Sequence, residues 1–155
     1  MPGPGDRASV RGPASIDSAV YSEVQNLYAF YNLSSDAGNA EAYAGCFSPN
    51  GVLEIPSIGL YVEGYAALVA FKEADRERRG DRLRRHWNSG LYLDPVDEQM
   101  VRGQCYLHGY NAAPGEAPVL ADVGRYDDEI VLVDGAWRFS HRRITLESSA
   151  FTSPQ

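Results

Sequence analysis

Apolar residues recur at helical spacing early in the chain, where Val20, Val24, Leu27, Tyr28 and Tyr31 fall on one stripe. The stripe predicts a first helix capped by Ser15 or Asp17 and running to about Ser34, with Asp36-Ala37-Gly38 closing it. Asn39 caps a short second helix in "AEAYAGCF", where Tyr43 and Phe47 stand one turn apart. "SPNG" (48–51) is a turn signal, and "VLEIPSIGLYV" reads as two short strands around Pro56. Gly64 opens a third helix with Leu68 and Phe71 on its buried edge. After "EADRERRGDRLRR" the period changes to two. "HWNSGLYLD", "MVRGQCYLHGY", "APVLADVGRYDDEIVLV" and "AWRFSHRRITLE" read as strands, joined by turns such as "NAAPGEAP" and "VDGA". Helices first and a long meander after predict an α+β fold: one curved antiparallel sheet wrapped on about three helices and enclosing a pocket.

Composition narrows the function. The 155 residues suit one domain with a sizeable core, and 44% hydrophobic residues mark it as globular rather than disordered. A net charge of −7 argues against a nucleic-acid partner, because phosphate binding needs a positive surface. No apolar run approaches the ~20 residues that span a bilayer. "MPGPGDRASVRGPA" lacks the apolar region of a signal peptide and reads as a disordered tail over 1–14, ahead of a domain over 15–148 and a short tail over 149–155. Cys46 and Cys105 lie far apart without metal or redox spacing, as small buried hydrophobes of a reducing cytoplasm do. The three histidines lie on separate segments without carboxylates at ligand spacing, so no metal is expected. Glycine-rich nucleotide motifs and a nucleophile elbow are absent, and no cofactor is expected.

Three stretches carry a resemblance. They are the first helix ending in Tyr31 and Asp36 and followed by "CFSPNG"; Gly64 and Leu68 at the start of the third helix; and "GRYDDEIVLVDGAWRFSHRRI" near the end. Together they resemble a SnoaL-like member of the nuclear transport factor 2-like superfamily over roughly residues 17 to 147. The resemblance implies a cone formed by sheet and helices, and commonly a homodimer through the sheet's outer face. It also implies that Tyr31, Asp36 and His86 act together in the cone as acid and base.

The residues can be read on their own as well. In "RHWNSGLYL", His86, Asn88 and Tyr92 share one strand face. A carboxylate beside an imidazole in an apolar pocket can remove a proton next to a carbonyl, while a phenol polarises the carbonyl or donates to a leaving hydroxyl. Asn88 stands two residues from the histidine, where many relatives place an asparagine four residues on and this chain has Gly90. In "AWRFSHRRITLE", Trp137, Phe139, His141 and Arg143 share a face if no bulge intervenes, which puts Arg143 on the aromatic side as a binder of a substrate carboxylate or enolate. Arg125 and Asp128 of "GRYDD" are expected to pair across strands. Tyr106, His108 and Tyr110 alternate on one face and suit a subunit interface. Each of Tyr31, Asp36 and His86 also has an ordinary structural use, as rim residue, turn residue and core histidine.

Two functions follow from the resemblance. One is a cofactor-free dehydratase, cyclase or isomerase acting on a small apolar carbonyl or hydroxyl compound, in polyketide or related specialised metabolism. The other is a non-catalytic binding or assembly domain like the β subunit of ring-hydroxylating dioxygenases.

Overall fold

The computed structural model describes residues 12–149. Of the expected tails over 1–14 and 149–155, residues 1–11 and 150–155 lie outside the described residues. Ala14, at the end of the first of them, donates its backbone N–H to the Tyr92 hydroxyl at 2.9 Å.

The first helix, α1 (Ser18–Ala37), begins where Asp17 Oδ1 accepts from the N–H groups of Ala19 (2.9 Å) and Val20 (3.1 Å). It runs three residues past the expected end, through Asp36, and stops at Gly38. Gly38 takes φ 68°, a conformation costly for any residue with a Cβ, and returns its N–H to Ser34 and Ser35. Asn39 caps α2 (Ala40–Gly45) through Ala42 N. Then follow β1 (Phe47–Ile55), a single 3-10 turn at Pro56–Ile58, β2 (Leu60–Glu63) and α3 (Tyr65–Arg79). The meander is β3 (Leu83–Asp97), β4 (Met100–Ala112), β5 (Val119–Val133) and β6 (Ala136–Ser149).

One curved, unclosed sheet results, in the order β2-β1-β6-β5-β4-β3. Two expectations are corrected. The sheet is mixed, because β1 pairs parallel with β6: β1 arrives from α2 rather than from a hairpin, so its direction relative to β6 is not forced antiparallel. "SPNG" is not a turn between elements but an irregularity inside β1, where the register shifts between Phe47 and Val52. Gly51 lies so close there that a Cβ would sit 2.9 Å from Phe139 O.

Alternation separates the two faces. On β4, Val101, Gly103, Cys105, Leu107 and Gly109 are buried, and across from them so are Gly124, Tyr126, Asp128 and Ile130 of β5. This concave face packs against Tyr28 and Tyr31 of α1 and Tyr43 of α2. In its centre lies a buried ion pair. Arg142 Nε and Nη2 donate to Asp128 Oδ1 and Oδ2 at 2.9 and 2.7 Å, and both side chains are wholly shielded from solvent. The Tyr28 hydroxyl donates to the same carboxylate. The guanidinium carbon lies 3.8 Å from the Tyr126 ring centre, 3.9 Å from Phe139 and 4.2 Å from Tyr31. The expected Arg125–Asp128 pair is therefore replaced. Arg125 Nε bonds Asp127 at 3.0 Å on the outer face, because neighbours along one strand point to opposite sides.

Candidate active site

Asp36 stands in the last turn of α1, and His86 lies on β3, an edge strand of the sheet. Asp36 Oδ2 accepts the His86 backbone N–H at 3.0 Å, which satisfies a donor that β4 does not take. Asp36 Oδ1 lies 2.5 Å from His86 Nδ1. One carboxylate thus grips both the backbone and the ring of the histidine. With Nδ1–H given to the carboxylate, Nε2 carries the free lone pair. The side chains are 9% (Asp36) and 18% (His86) exposed.

The helix end that carries Asp36 is held from α3. Lys72 Nζ donates to Ser35 Oγ at 2.8 Å and to Asp75 Oδ2 at 3.0 Å, and lies 4.5 Å from the Tyr43 ring centre. Arg84 Nη1 grips both oxygens of Asp75 at 2.9 and 3.0 Å. Burial pushes the Lys72 ammonium down, and Asp75 resists the change. Burial would raise Asp75, but Lys72 and Arg84 outweigh it and hold the carboxyl at about 2. Sequence reasoning missed this brace. Its signal was the chain's single lysine three residues ahead of an aspartate on the helix.

Of the expected trio, the structure joins Asp36 to His86 and gives Tyr31 to the core. Tyr31 is 4% exposed, and its hydroxyl meets the Tyr43 hydroxyl at 3.0 Å. Its ring packs edge-on against Phe47, Tyr126 and Phe139, and burial raises its phenol above the ordinary value. Five residues, nearly a turn and a half of helix, separate it from Asp36, and its polar atom is turned to α2.

Asn88 shares the face of His86, since their partners Gly109 and Leu107 are both buried on the concave side. Its Oδ1 is buried and has no hydrogen-bond partner.

Arg143 is corrected. The β5–β6 register shifts between Glu129 and Ile130, so after Phe139 the strand gains a residue and Arg142 takes the inward position. Arg143 is exposed and faces outward with His141, whose Nε2 lies 3.0 Å from Glu54 Oε2. Both border a cleft of about 370 Å³ on the convex face. Tyr106 and His108 are exposed on the same side, and Tyr110 stacks with Trp87 at 5.7 Å. Among the described residues no group of three or more His, Cys, Asp or Glu is placed to hold a metal, and no helix is long and apolar enough to cross a membrane.

The family model for the SnoaL-like domain matches residues 17–143. The chain belongs to the SnoaL-like family. Solved structures agree on the fold of this SnoaL-like protein. Aln2 from a Streptomyces species is 21% identical with a TM-score of 0.79, over 86% of this chain and 95% of that one. A protein of Catenulispora acidiphila in complex with S-DNPA is 25% identical with a TM-score of 0.75, over 84% and 96%. A candidate scytalone dehydratase of Novosphingobium aromaticivorans is 19% identical with a TM-score of 0.75, over 88% and 90%. No curated protein matches the sequence.

Proposed function

We propose that this SnoaL-like protein is an acid–base enzyme: a dehydratase, cyclase or isomerase of a small, mostly apolar carbonyl or hydroxyl compound, in polyketide or related specialised metabolism. The dyad carries the reading. A carboxylate in the last turn of a helix opposes the helix dipole, a mismatch worth ~0.3–1 kcal/mol, and α1 has no basic residue of its own there. The local rule is broken at the one place where the carboxylate orients an imidazole, as expected where function overrides stability.

His86 Nε2 takes a proton from the carbon next to the substrate carbonyl, and Asp36 stabilises the imidazolium that forms. The electron pair moves into the carbonyl as an enolate. In dehydration the enolate then expels the β-hydroxyl, which leaves as water with the proton from Nε2; in isomerisation the proton returns to a different carbon. Asn88 orients the substrate, and Tyr31 supports the site from the core rather than touching the substrate. The supporting likenesses are the S-DNPA-bound relative and the candidate scytalone dehydratase. A homodimer through the convex aromatic strip around Trp87, Tyr106 and Tyr110 accompanies this reading.

The test is exchange of the α-protons of 2-tetralone into D2O, followed by NMR. Asp36→Asn and His86→Ala should each slow it by ~10²-fold, the ordinary worth of a positioned acid–base group. The double variant should lose far less than the product of the two, because coupled groups act as a unit. A wild-type rate equal to that of buffer, or an Asp36→Asn rate equal to wild type, would sink the enzyme and leave the assembly-domain reading.

A further inference from the structure

The two halves of the dyad stand on different elements, Asp36 at the end of α1 and His86 on β3. β3 is an edge strand, hydrogen-bonded within the sheet only to β4, so the sheet itself does not fix its distance from α1. The Tyr21 hydroxyl ties the first half of α1 to Leu91 O at 3.1 Å, but the register shift between Ser89 and Tyr92 separates that contact from His86.

Beside the dyad the tie runs through α3. Ser35, the neighbour of Asp36, accepts from Lys72 Nζ at 2.8 Å, and the same ammonium donates to Asp75 Oδ2 at 3.0 Å. Lys72 and Asp75 are three residues apart on α3 and share its face. Arg84 closes the path from the other side, with Nη1 on both Asp75 oxygens at 2.9 and 3.0 Å. It stands two residues ahead of His86 with no register shift between them, so both side chains leave β3 on the same face. One carboxylate therefore joins the neighbour of Asp36 to the strand of His86. The basic end of α3 also covers the end of α1. Arg79 Nη1 lies 3.4 Å from Ser35 O, and a Cβ on Gly38 would meet Arg76 Cδ at 2.8 Å.

The two cations need the acid between them. Burial above all, and to a lesser degree the Arg84 and Arg79 charges, push the Lys72 ammonium down, while Asp75 pulls it back up. Without Asp75, Lys72 and Arg84 repel each other and drive α3 and β3 apart.

We infer that Asp75 is a positioning residue for the dyad: by holding Lys72 and Arg84 on one carboxylate it sets the spacing of α1 and β3, and with it the contact of Asp36 with His86. The inference rests on the acid–base reading for the use of that contact, not for its geometry. A displacement of about 1 Å at a reacting pair costs on the order of 10²-fold in rate, so a brace that touches no substrate governs turnover.

Two readouts on the full chain test it. The first is the proton NMR signal of the His86 ring N–H shared with Asp36, which should lie far downfield and is assigned by its loss in His86→Ala. The second is proton exchange of 2-tetralone, resolved into kcat and KM. Asp75→Asn should move or broaden the downfield signal and lower kcat by ~10-fold or more, with KM within about twofold of wild type. Arg84→Gln from the strand side and Lys72→Met from the helix side should do the same, and they supply the reading should Asp75→Asn fail to fold. Asp75→Glu keeps the charge and should recover part of both effects. Two variants are controls. Arg78→Ala removes an exposed arginine 3.7 Å from the same carboxylate. Ile130→Ala truncates the core in the row of Val101 and Pro95, nine residues along β3 from His86, and lowers the urea midpoint. Neither control should change the signal or kcat. A wild type without the downfield signal, brace variants that leave the signal or kcat unchanged, or an Ile130→Ala effect as large as theirs overturns the inference. A signal that answers to the brace in a protein that exchanges no protons of 2-tetralone sinks the enzyme alone. Exchange that is indifferent to the brace sinks this inference alone.

Discussion

Arg142 offers the sharpest test of how the concave face is built, because replacing it needs no knowledge of the substrate. Arg142→Met removes a guanidinium that makes two hydrogen bonds to Asp128 and stacks among four rings. It leaves the Asp128 carboxylate wholly buried, with only the Tyr28 hydroxyl as donor. Burial raises that carboxyl, and without the pull of Arg142 nothing of opposite charge is left to oppose the rise. Breaking a buried pair in this way costs ~3–5 kcal/mol, against a total stability of roughly 5–15 kcal/mol. In urea the midpoint should fall by about 2 M, and the melting temperature by roughly 10 °C. The triple variant Tyr28→Phe/Asp128→Leu/Arg142→Met removes every polar member at once and should recover most of the loss, since a buried ion pair is close to neutral against a packed apolar replacement. A single variant costing under ~1 kcal/mol would refute the burial argument, because a shielded carboxylate cannot lose its cation that cheaply. A triple variant no better than the single would show instead that shape, not charge, sets the value of the cluster.

Other expectations are simpler. Asp75→Asn leaves Lys72 buried without its counter-charge and should cost ~1–3 kcal/mol at neutral pH, read from urea midpoints. The sign in acid is fixed: Asp75 titrates at about 2 in the fold against 3.8 ordinarily, so its contribution is present above pH 4 and fades as pH falls toward 2. The gap between wild type and Asp75→Asn should close over that window, and a constant gap would count against the brace. Burial pushes the Cys46 thiol up to about 11 and Cys105 to about 12, so neither should react with a disulfide reagent at pH 8 until the chain unfolds, when both should. Fast labelling of either in the native protein would show that the core opens locally.

The fold was legible in the sequence because each element carried its own period. The stripe from Val20 to Tyr31 gave α1, and alternation gave β4 and β5. The ends were less legible. Asp36 reads as a turn residue, since an acid at a helix C-terminus is disfavoured, and the helix includes it where Lys72 holds the neighbouring Ser35 and His86 meets the Asp36 carboxylate. Tyr31 reads as a neighbour of Asp36, but five residues are nearly a turn and a half of helix and put the two side chains on different faces. Tyr43, across the loop, settled that. The approach of Asp122 to Gly109 was not visible at all. Its place depends on the register of three strand pairs and on Gly109 being empty, and neither is written locally.

The arginines show most clearly why such a reading stops where it does. "HRR" offers two cations on a strand, and alternation from Trp137 and Phe139 assigns the inward position to Arg143. One extra residue near Ser140 reverses the assignment, because a slip of one exchanges the faces of everything after it. The consequence is chemical. With Arg143 inward the concave face would hold a free cation beside Trp137 and suit an anion. With Arg142 inward the cation is matched by Asp128 before any ligand arrives. A single bulge thereby turns the expected receptor for a carboxylate into half of a buried ion pair. Straightening β6 by deleting Ser140 should expose this dependence: with Arg142 turned outward, Asp128 loses its bidentate partner, and the urea midpoint should report a loss of ~3–5 kcal/mol. A variant as stable as wild type would show that the bulge does not decide which arginine holds Asp128.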